Sequence, residues 1–332
     1  MRKLARIERV AKVSPIPDAD SIEVATVQSW NVVIKKGEFK EGDLCVYCEI
    51  DSFLPVREEF EFLRKSSFKK MEDKEGFRLR TLKLRGQVSQ GLLLQLSIID
   101  NGQQYPVGYE VTDLLGITKY EPPIPAGTEG TIKGGFPSFI SKTDEERIQN
   151  LADEYGSYKN TEFYATEKLD GTSITCYTYE GSFGVCQRNY ELEEANNMYW
   201  ETVARLGIKE KLMQLNKNIA LQGELIGPSI QGNPYQLKER TIKVFSVFDI
   251  DNGRYYKFEE FTALTKELSI DTVPLIETSM KLPETIDMLL QFADGKSALN
   301  PQTNREGLVL RSLSGTWISF KVISNLFLLS EK

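Results

Sequence analysis

The stretch ATEKLDGTS, residues 165–173, places Lys168 two positions before the pair Asp170-Gly171. Aromatic and β-branched residues stand on both sides, FY before Ala165 and ITCY after Ser173, and they predict strands. Two strands interrupted at Asp-Gly are typical of a hairpin or a bulge. Four-letter patterns occur often by chance, so the alternative is a solvent-exposed lysine in an ordinary turn. The rest of the chain must decide whether Lys168 is reactive.

The composition restricts the chemistry that this lysine could take part in. The 332 residues include no histidine, which excludes Ser-His-Asp and Cys-His catalysis, histidine general bases and His-ligated metals. Cysteines at 45, 48, 176 and 186 stand in strand-like surroundings that predict buried reduced thiols. The alternative, a zinc site, would need all four from two distant segments. Any chemistry must therefore use lysine, carboxylates, arginine and an oxygen-ligated metal.

Length and hydropathy indicate a two-domain protein that does not enter a membrane. A chain of 332 residues with 40% hydrophobic residues can fill more than one core. No apolar run approaches the roughly 20 residues that span a bilayer, and the start MRKLARIERVAK lacks the apolar core of a signal peptide. We expect a monomeric protein of the cytoplasm, or of the host-cell cytoplasm if the chain is viral.

One segment is basic although the net charge is −7. Residues 64–85 contain nine lysines and arginines and three acids, an excess of six positive charges. Such a segment is typical of a polyanion-binding surface, and the alternative is a solvated loop. In TLKLRG, strand alternation predicts that the two leucines face inward while Thr81, Lys83 and Arg85 point outward from a barrel wall.

The order of local patterns predicts an α+β protein. Residues 1–120 alternate short β-type runs with Gly- or Asp-containing turns, as in a small barrel or sandwich. The Pro-rich run EPPIPAGTEG, 121–130, predicts a linker. Residues 131–332 are predicted to form antiparallel sheets with flanking helices. One helix is expected at 141–156, with a capping box and a glycine past its end, and a helix or helical pair at 191–215.

Further functional residue types follow Lys168 in a definite order. They are Arg188 in CQRNYEL, Glu224 in LQGELIG, the aromatics of VFSVFDI, Glu306 in REGLVLR and Lys321 in ISFKVIS. This order and spelling resemble the covalent nucleotidyltransferase superfamily of ATP-dependent polynucleotide ligases and mRNA capping enzymes. Six motifs in order over about 155 residues make the match specific.

Finer details are similar to the group called RNA ligase family five, which carries an N-terminal OB-fold domain. EKLDGTS, GELIGPSIQGNPY and KTDEERIQN resemble its ligase domain, whereas EIDSFLP and KLRGQVSQGLLL resemble its OB domain. The chain departs from many ligases in the last motif, where two lysines separated by one residue are common. Here Ser319 and Lys321 leave one lysine.

The resemblance implies that the Lys168 amine attacks the α-phosphate of ATP to give a lysyl-adenylate. The AMP then passes to an RNA 5′-phosphate, and a 3′-hydroxyl displaces it. A free lysine has a pKa of about 10.4, so burial or a nearby cation must make Lys168 nucleophilic, and we expect Mg²⁺ or Mn²⁺. Asp170, Glu224 and Glu306 are the carboxylates implied to hold this metal through its water shell.

The resemblance also implies contacts to nucleotide and RNA. Lys321 is assigned to the α-phosphate, and Arg188 to the ribose or to an RNA phosphate. Arg147 is assigned to the triphosphate, with a surface arginine of the predicted helix as the alternative. Phe245 and Phe248 are three residues apart and so are expected on opposite strand faces, one stacked on adenine and the other in the core. The implied ATP-binding residues are Glu167, Lys168, Arg188, Phe245, Phe248, Lys321 and Arg147.

The predicted function is an ATP-dependent RNA ligase that seals 3′-OH/5′-phosphate breaks, such as nicks in duplex RNA, in RNA repair. Its OB domain would grip RNA through Lys83 and Arg85, with Arg188 as a further RNA contact. The alternatives are a DNA ligase, a GTP-using capping enzyme, or an OB-fold nucleic-acid-binding protein without catalysis. The presence of Lys168, Glu224, Glu306 and Lys321 together argues against the last of these.

Overall fold

In the computed structural model, the described residues are 3–71, 73–99, 102–121 and 131–330. They divide into two compact units, Met1–Pro123 with Gln149–Glu154 and Leu328–Lys332, and Ile124–Ile148 with Tyr155–Phe327. The boundary thus falls in the predicted linker, 121–130, of which residues 122–130 lie outside the described residues. The first unit also contains two short later segments, Gln149–Glu154 and Leu328–Lys332. The predicted division into 1–120 and 131–332 placed both of them in the second domain.

The first unit consists mainly of short strands, which follow runs rich in valine, isoleucine and aromatic residues. In chain order these strands are β1 (Ala5–Pro15), β2 (Ile22–Val27), β3 (Trp30–Lys35), β4 (Leu44–Cys48), β5 (Ser52–Pro55), β6 (Phe68–Met71), β7 (Lys74–Arg78), β8 (Leu82–Leu84), β9 (Gln87–Ser89), β10 (Leu92–Leu94) and β11 (Thr118–Lys119).

Two antiparallel sheets and a hairpin organise these strands. One sheet has the order β10-β4-β1-β2-β3, the second has the order β11-β5-β7-β6, and β8 pairs with β9. A single core packs side chains from both sheets, including Ile7, Val46, Leu54 and Phe77. This arrangement confirms the small β-structure predicted for residues 1–120.

The hairpin β8-β9 differs from the barrel wall predicted for TLKLRG. Thr81 is buried and accepts a hydrogen bond from Gln90 Nε2 at 3.3 Å, whereas Leu84 is 41% exposed. The predicted directions of Thr81 and Leu84 were therefore wrong, because a two-stranded hairpin does not bury one whole face as a barrel wall does. Lys83 and Arg85 are exposed, and Arg85 lies in the turn with φ 48°.

The excess charge of the basic segment is partly balanced by acids. Arg64 binds Glu61 with two hydrogen bonds, of 2.6 and 2.7 Å. Arg78 lies 3.3 Å from Asp51, an acid that also stands outside the segment. Lys83 and Arg85 at the hairpin tip therefore become the sharper candidates for phosphate contacts.

The second unit is built from longer strands. In chain order they are β12 (Ile132–Gly135), β13 (Glu146–Arg147), β14 (Phe163–Lys168), β15 (Thr172–Tyr179), β16 (Ser182–Cys186), β17 (Tyr190–Leu192), β18 (Ile219–Ile226), β19 (Thr241–Asp249), β20 (Arg254–Tyr255), β21 (Leu275–Met280), β22 (Gly307–Ser312) and β23 (Ser319–Ile323).

Two sheets form the frame of this unit. The larger has the order β12-β17-β16-β15-β18-β19-β20, and the smaller has the order β13-β23-β22-β14-β21. Neighbouring strands are antiparallel except for β13 and β23, which are parallel. Apolar clusters cover both faces of the larger sheet. Cys176 and Leu221 belong to one cluster, and the residues next to them in the chain, Tyr177 and Ala220, belong to another. Neighbouring residues of a strand point to opposite faces, so the two clusters lie on opposite sides of the sheet.

Short helices flank the strands. They are α1 (Arg64–Ser67), α2 (Tyr155–Tyr158), α3 (Met198–Arg205), α4 (Ile208–Gln214), α5 (Phe258–Glu267), α6 (Ile286–Ala293) and α7 (Asn325–Ser330). Within the described ranges, none of the helices is long and apolar enough to cross a membrane. The mixture of antiparallel sheets and flanking helices confirms the α+β class.

Two helix predictions need correction. Segment 141–156 is not one helix: it contains β13, a 3-10 turn at Ile148–Leu151 and the start of α2. Pairing of β13 with the sheet edge and burial of Arg147 and Ile148 override the local capping signals. The predicted helical pair at 191–215 is present as α3 and α4, but it begins only after Asn197, whose side chain accepts from the backbone of Tyr199 and Trp200.

Candidate active site

Two glycines allow the backbone around Lys168 to pack closely. Lys168 ends β14, and a Cβ added to Gly171 in the following turn would lie 2.6 Å from the Leu225 carbonyl oxygen. Gly307 stands opposite Lys168 in the sheet, and a Cβ there would collide with the Val322 carbonyl oxygen. Only glycine fits at either place. The turn therefore packs directly on β18, with β22 beside Lys168.

This packing surrounds Lys168 with carboxylates. The Nζ of Lys168 lies 2.6 Å from Glu306 Oε1, and both side chains are largely buried, 29% and 15% exposed. Burial alone lowers the pKa of Lys168, but the negative charges of Glu306, Glu224 and Asp170 outweigh it and raise this pKa above the usual value. The side chains of the protein therefore favour the protonated lysine, and a further positive charge is needed to make it nucleophilic.

Glu224 has a strongly raised pKa. It stands between apolar neighbours on β18, and its pKa is raised to about 8. Burial is the largest cause and the charges of Glu306 and Asp170 add to it, while the charge of Lys168 and a backbone hydrogen bond from Gly171 act in the opposite direction. Two like charges beside a half-buried carboxyl make its ionisation costly. A cation among these carboxylates would relieve that cost.

The three carboxylates fit a hydrated divalent ion. Among the residues that the structure describes, no three acidic or cysteine side chains converge closely enough to hold an ion directly. Oxygen ligands and retained water are what Mg²⁺ prefers. Asp170, Glu224 and Glu306 are thus suited to bind such an ion through its water shell. The cysteines form no alternative site in the described part of the chain, because no three cysteine or acidic side chains come together there, and burial raises the pKa of both Cys45 and Cys48 to about 12.

A carboxylate also joins two of the predicted phosphate-binding cations. Asp144 lies 3.4 Å from Arg188 Nη2 through one oxygen and 3.4 Å from Lys321 Nζ through the other. Lys321 pairs with Val309, and Val309 pairs with Thr166 across the next strand, so these three side chains lie on one face of the sheet. Lys168 is two residues after Thr166 in the same strand and therefore lies on that face too. An anion bound between Arg188 and Lys321 would therefore lie on the same side of the sheet as the Lys168 amine.

Arg147 and Glu167 occupy other places than the sequence suggested. Arg147 is 5% exposed and pairs with Lys321 across β13 and β23, so it is an edge-strand residue and not a helix arginine. Glu167 points to the opposite side of β14 from Lys168. It is 1% exposed, and its Oε2 accepts the backbone N–H of Ala298 at 2.8 Å. Burial raises the pKa of Glu167. Their ATP-binding roles stay predictions.

The two aromatic candidates lie on one face of β19. The strand carries a bulge opposite the middle of β18, which adds a residue and reverses the alternation beyond it. Phe248 packs in a cluster with Ala220, whereas Phe245 packs beside a cluster containing Ile226. Ala220 and Ile226 are six residues apart in one strand and so face the same side. The expectation of opposite faces was therefore wrong, and both rings line the side that carries Glu224.

Two residues of this site were missed from the sequence. The hydroxyl of Tyr235 accepts the backbone N–H of Asp170 at 2.6 Å, which fixes the turn after Lys168. Arg311, 1% exposed, donates to Glu145 Oε1 at 2.8 Å, and its Cζ lies 5.6 Å from the centre of the Phe245 ring. The signals were an aromatic residue at the end of GPSIQGNPY and an arginine in the apolar strand GLVLRS.

The fold and the site together define a covalent nucleotidyltransferase: a lysine at a strand end, surrounded by carboxylates, with Lys321 on the same sheet face and Arg188 held beside Lys321 through Asp144. Family comparison agrees with this class. An OB-fold domain model matches residues 4–96, and an RNA ligase model matches residues 161–323. No curated protein matches the chain.

Solved structures of the RNA ligase of Naegleria gruberi are similar over nearly the whole chain. A mutant with AMP and Mn superposes with a TM-score of 0.95 at 44% identity, covering 99% of both chains. The ligase with PPi gives 0.94 at 44% identity, covering 99% of this chain and 98% of that one. A mutant with ATP and Mn gives 0.94 at 44% identity, covering 99% of both. This chain belongs to the RNA ligase family.

Proposed function

We propose that this protein is an ATP-dependent RNA ligase that joins a 3′-hydroxyl to a 5′-phosphate at nicks in duplex RNA, with Lys168 as the nucleophile. The observation that carries the proposal is the ion pair of Lys168 with Glu306 at 2.6 Å, beside the carboxyl groups of Glu224 and Asp170. The similarity to a ligase solved with ATP, AMP and PPi supports the same chemistry.

In the first step the Lys168 amine attacks the α-phosphate of ATP. The N–P bond forms, the bond to pyrophosphate breaks, and Nζ must lose a proton. Glu306 Oε1, 2.6 Å away, is the atom placed to receive it. Lys321 contributes a positive charge on the same sheet face, where charge develops on the phosphate. Lysyl-adenylate formation is therefore a step that the side chains of the second unit can perform together.

Asp170, Glu224 and Glu306 would hold the divalent cation, Mg²⁺ or Mn²⁺. When bound, such a cation supplies positive charge that offsets the carboxylates and polarises the phosphate. For the chain itself the consequence concerns Lys168, because neutralising the three acids removes what now raises its pKa. Burial is then the main remaining effect on Lys168, and it lowers the pKa of the amine, so that more of the lysine is deprotonated and has a free lone pair.

In the second and third steps the AMP moves to the RNA 5′-phosphate, and the 3′-hydroxyl then displaces it. Arg188 is held beside Lys321 through Asp144 and is suited to bind the phosphate that receives AMP. The exposed Lys83 and Arg85 of the OB-fold unit are suited to contact the duplex backbone. Removal of these contacts should weaken RNA binding without removing the nucleophile.

Intact mass after incubation with ATP and Mn²⁺ or Mg²⁺ tests the proposal. The wild-type chain should gain one AMP, and Lys168→Ala should gain none. Incubation with GTP separates a capping enzyme, which would gain GMP. A ligation assay with matched nicked RNA and nicked DNA separates RNA from DNA ligase. A wild-type protein that gains no nucleotide but binds RNA would instead be a binding module, and the proposal would be wrong.

We also propose a cytoplasmic location. All four cysteines are buried free thiols, which suits a reducing compartment. The monomeric state stays a prediction.

A further inference from the structure

A cavity of about 310 Å³ lies in the second unit beside the turn that connects β22 to β23. Its volume is at the lower end of the range for small-molecule sites. The residues of the known motifs do not line it. Its walls include Arg254, Tyr255, Lys257 and Trp317.

An aromatic pair forms one wall. The rings of Tyr255 and Trp317 are stacked, with centroids 5.2 Å apart and an angle of 15° between their planes. Both residues are partly exposed. A stacked, accessible tyrosine-tryptophan pair offers a flat surface on which a nucleobase can stack, and each stacked base contributes about 1–3 kcal/mol to binding in single-strand binding proteins.

The rim of the cavity is cationic. Arg254 and Lys257 both line it, and Arg254 is bound to Glu260 by two hydrogen bonds of 2.7 and 2.8 Å. Because Arg254 is held by Glu260, the exposed Lys257 is the group that can reach a phosphate. An aromatic wall beside a lysine is the combination that binds one nucleotide through its base and its phosphate.

The cavity is connected to the phosphate-binding cations by a short stretch of chain. The Tyr255 hydroxyl donates to the carbonyl oxygen of Ser141 at 3.2 Å. Three residues further along, Asp144 contacts Arg188 and Lys321. Three residues span at most about 11 Å even when fully extended. The aromatic wall is thus close enough to these cations for the neighbouring nucleotide of a bound RNA strand to reach it.

We propose that this cavity binds an unstacked nucleotide of the RNA strand at or next to the break, with its base against Trp317 and its phosphate near Lys257. The inference rests on the proposed RNA ligase function. A base must leave the duplex stack to enter the cavity, which costs least where the strand is already interrupted. The cavity therefore distinguishes a nicked duplex from an intact one.

The test compares the binding of two fluorescently labelled RNA duplexes of the same sequence, one nicked and one intact, to the full chain. Trp317→Ala should weaken binding to the nicked duplex by about 5- to 150-fold, the range that loss of one stacked base gives. Trp317→Phe should retain most of the affinity because it keeps a ring. Binding to the intact duplex should change little in either variant.

A matched pair of lysines tests the phosphate contact. Lys257→Ala keeps the backbone N–H that Glu260 accepts at the start of α5, so the helix cap is preserved. It should weaken binding to the nicked duplex and reduce its salt dependence, whereas Lys266→Ala, in the last turn of the same helix, should not.

The outcomes separate this inference from the proposed function. If the wild-type protein forms the lysyl-adenylate and seals RNA, but Trp317→Ala and Lys257→Ala bind the nicked duplex as it does, the cavity inference alone is wrong. The cavity inference would also be wrong if Trp317→Phe lost the same affinity for the nicked duplex and for the intact duplex. The Trp317 ring would then stabilise the fold and would not contact a base at the break. A wild-type chain that neither forms an adenylate nor binds nicked RNA would overturn both.

Discussion

Lys168 Nζ and Glu306 Oε1 form an ion pair of 2.6 Å, so the proposed nucleophile and one of its carboxylates begin the reaction bound to each other. The carboxylate stabilises the ammonium and also stands ready to take its proton. Adenylylation must therefore separate this pair, and whatever neutralises Glu306 also activates Lys168. The same geometry links the metal dependence of the reaction to its pH dependence.

Lys168→Ala separates the steps of the reaction. The variant should form no lysyl-adenylate, because the attacking nitrogen is gone. It should still seal an RNA whose 5′ end already carries AMP, at a reduced rate, because that step needs the carboxylates and cations and not the amine. Gel assays on adenylylated and plain nicked RNA measure both. Loss of RNA binding with normal adenylylation would contradict the assignment of the nucleophile.

Glu306→Ala and Glu224→Ala test the carboxylates as holders of a metal. Each removes one acceptor for the metal's water shell, and outer-shell partners of this kind typically change metal affinity or activity by about 10- to 100-fold. We expect both variants to need more Mn²⁺ for half-maximal adenylylation, with partial recovery at high Mn²⁺. Glu259→Ala, an exposed acid of α5, is the matched control. Rates equal to wild type in both variants would show that these acids are structural.

The raised pKa of Glu224 predicts a pH-dependent stability. The unfolded chain releases this proton near the ordinary value of 4.5, while the folded chain keeps it up to about 8. Folding therefore takes up a proton between these values, and stability falls as pH rises through this window. Glu224→Gln stays neutral throughout. Without added metal, its melting temperature should match wild type near pH 4.5 and exceed it increasingly towards pH 8.5.

A constant difference in melting temperature across this range would mean that the Glu224 pKa is not raised. Addition of Mn²⁺ should stabilise the wild type more than Glu224→Gln at pH 8, because the cation offsets a charge that the variant lacks.

Tyr235→Phe removes the acceptor of the Asp170 backbone N–H and leaves the ring in place. A buried N–H without a partner costs about 1–3 kcal/mol. If this loss destabilises the conformation of the turn that reacts, we expect adenylylation at saturating ATP to slow by about 5- to 150-fold. The apparent pKa of its pH-rate profile should also shift, because the turn sets the spacing of Lys168 from the carboxylates. A lower melting temperature with an unchanged rate and profile would show a structural role only.

The hairpin tip in the OB-fold unit predicts a salt effect. Lys83→Ala with Arg85→Ala should weaken binding to nicked RNA duplex most at low salt, and each lost phosphate contact should lower the slope of log K against log salt by about 0.9 for a duplex. Adenylylation should fall less than sealing. Lys36→Ala with Lys40→Ala, two exposed lysines elsewhere in that unit, is the control. Full-rate sealing across a salt series would identify the segment as a solvated loop.

The sequence predicted the motifs better than the geometry between them. Lys168, Glu224 and Glu306 could be found because residue type and order survive in the sequence, and most strands follow from alternation and β-branched runs. The strand conformation of the segment carrying Arg147 could not be predicted in this way. Its capping pattern is local, whereas its pairing with β23 depends on residues more than 170 positions away. The contact of Tyr235 with Asp170 likewise joins residues 65 positions apart.

The bulge in β19 has a consequence for how this family can vary. The extra residue shifts the alternation of side chains along the strand by one position. Val247 and Val244 therefore both pack in the core on one face of the sheet, while Phe245 and Phe248 both lie on the opposite face. Deletion of Phe245 would restore regular alternation and leave every other residue of β19 on its present face, so it would remove one ring from the side that carries Glu224 and keep the core residues in place. A one-residue change in length within this strand can therefore alter the site without repacking the core, and comparisons that score residue type alone would overlook it.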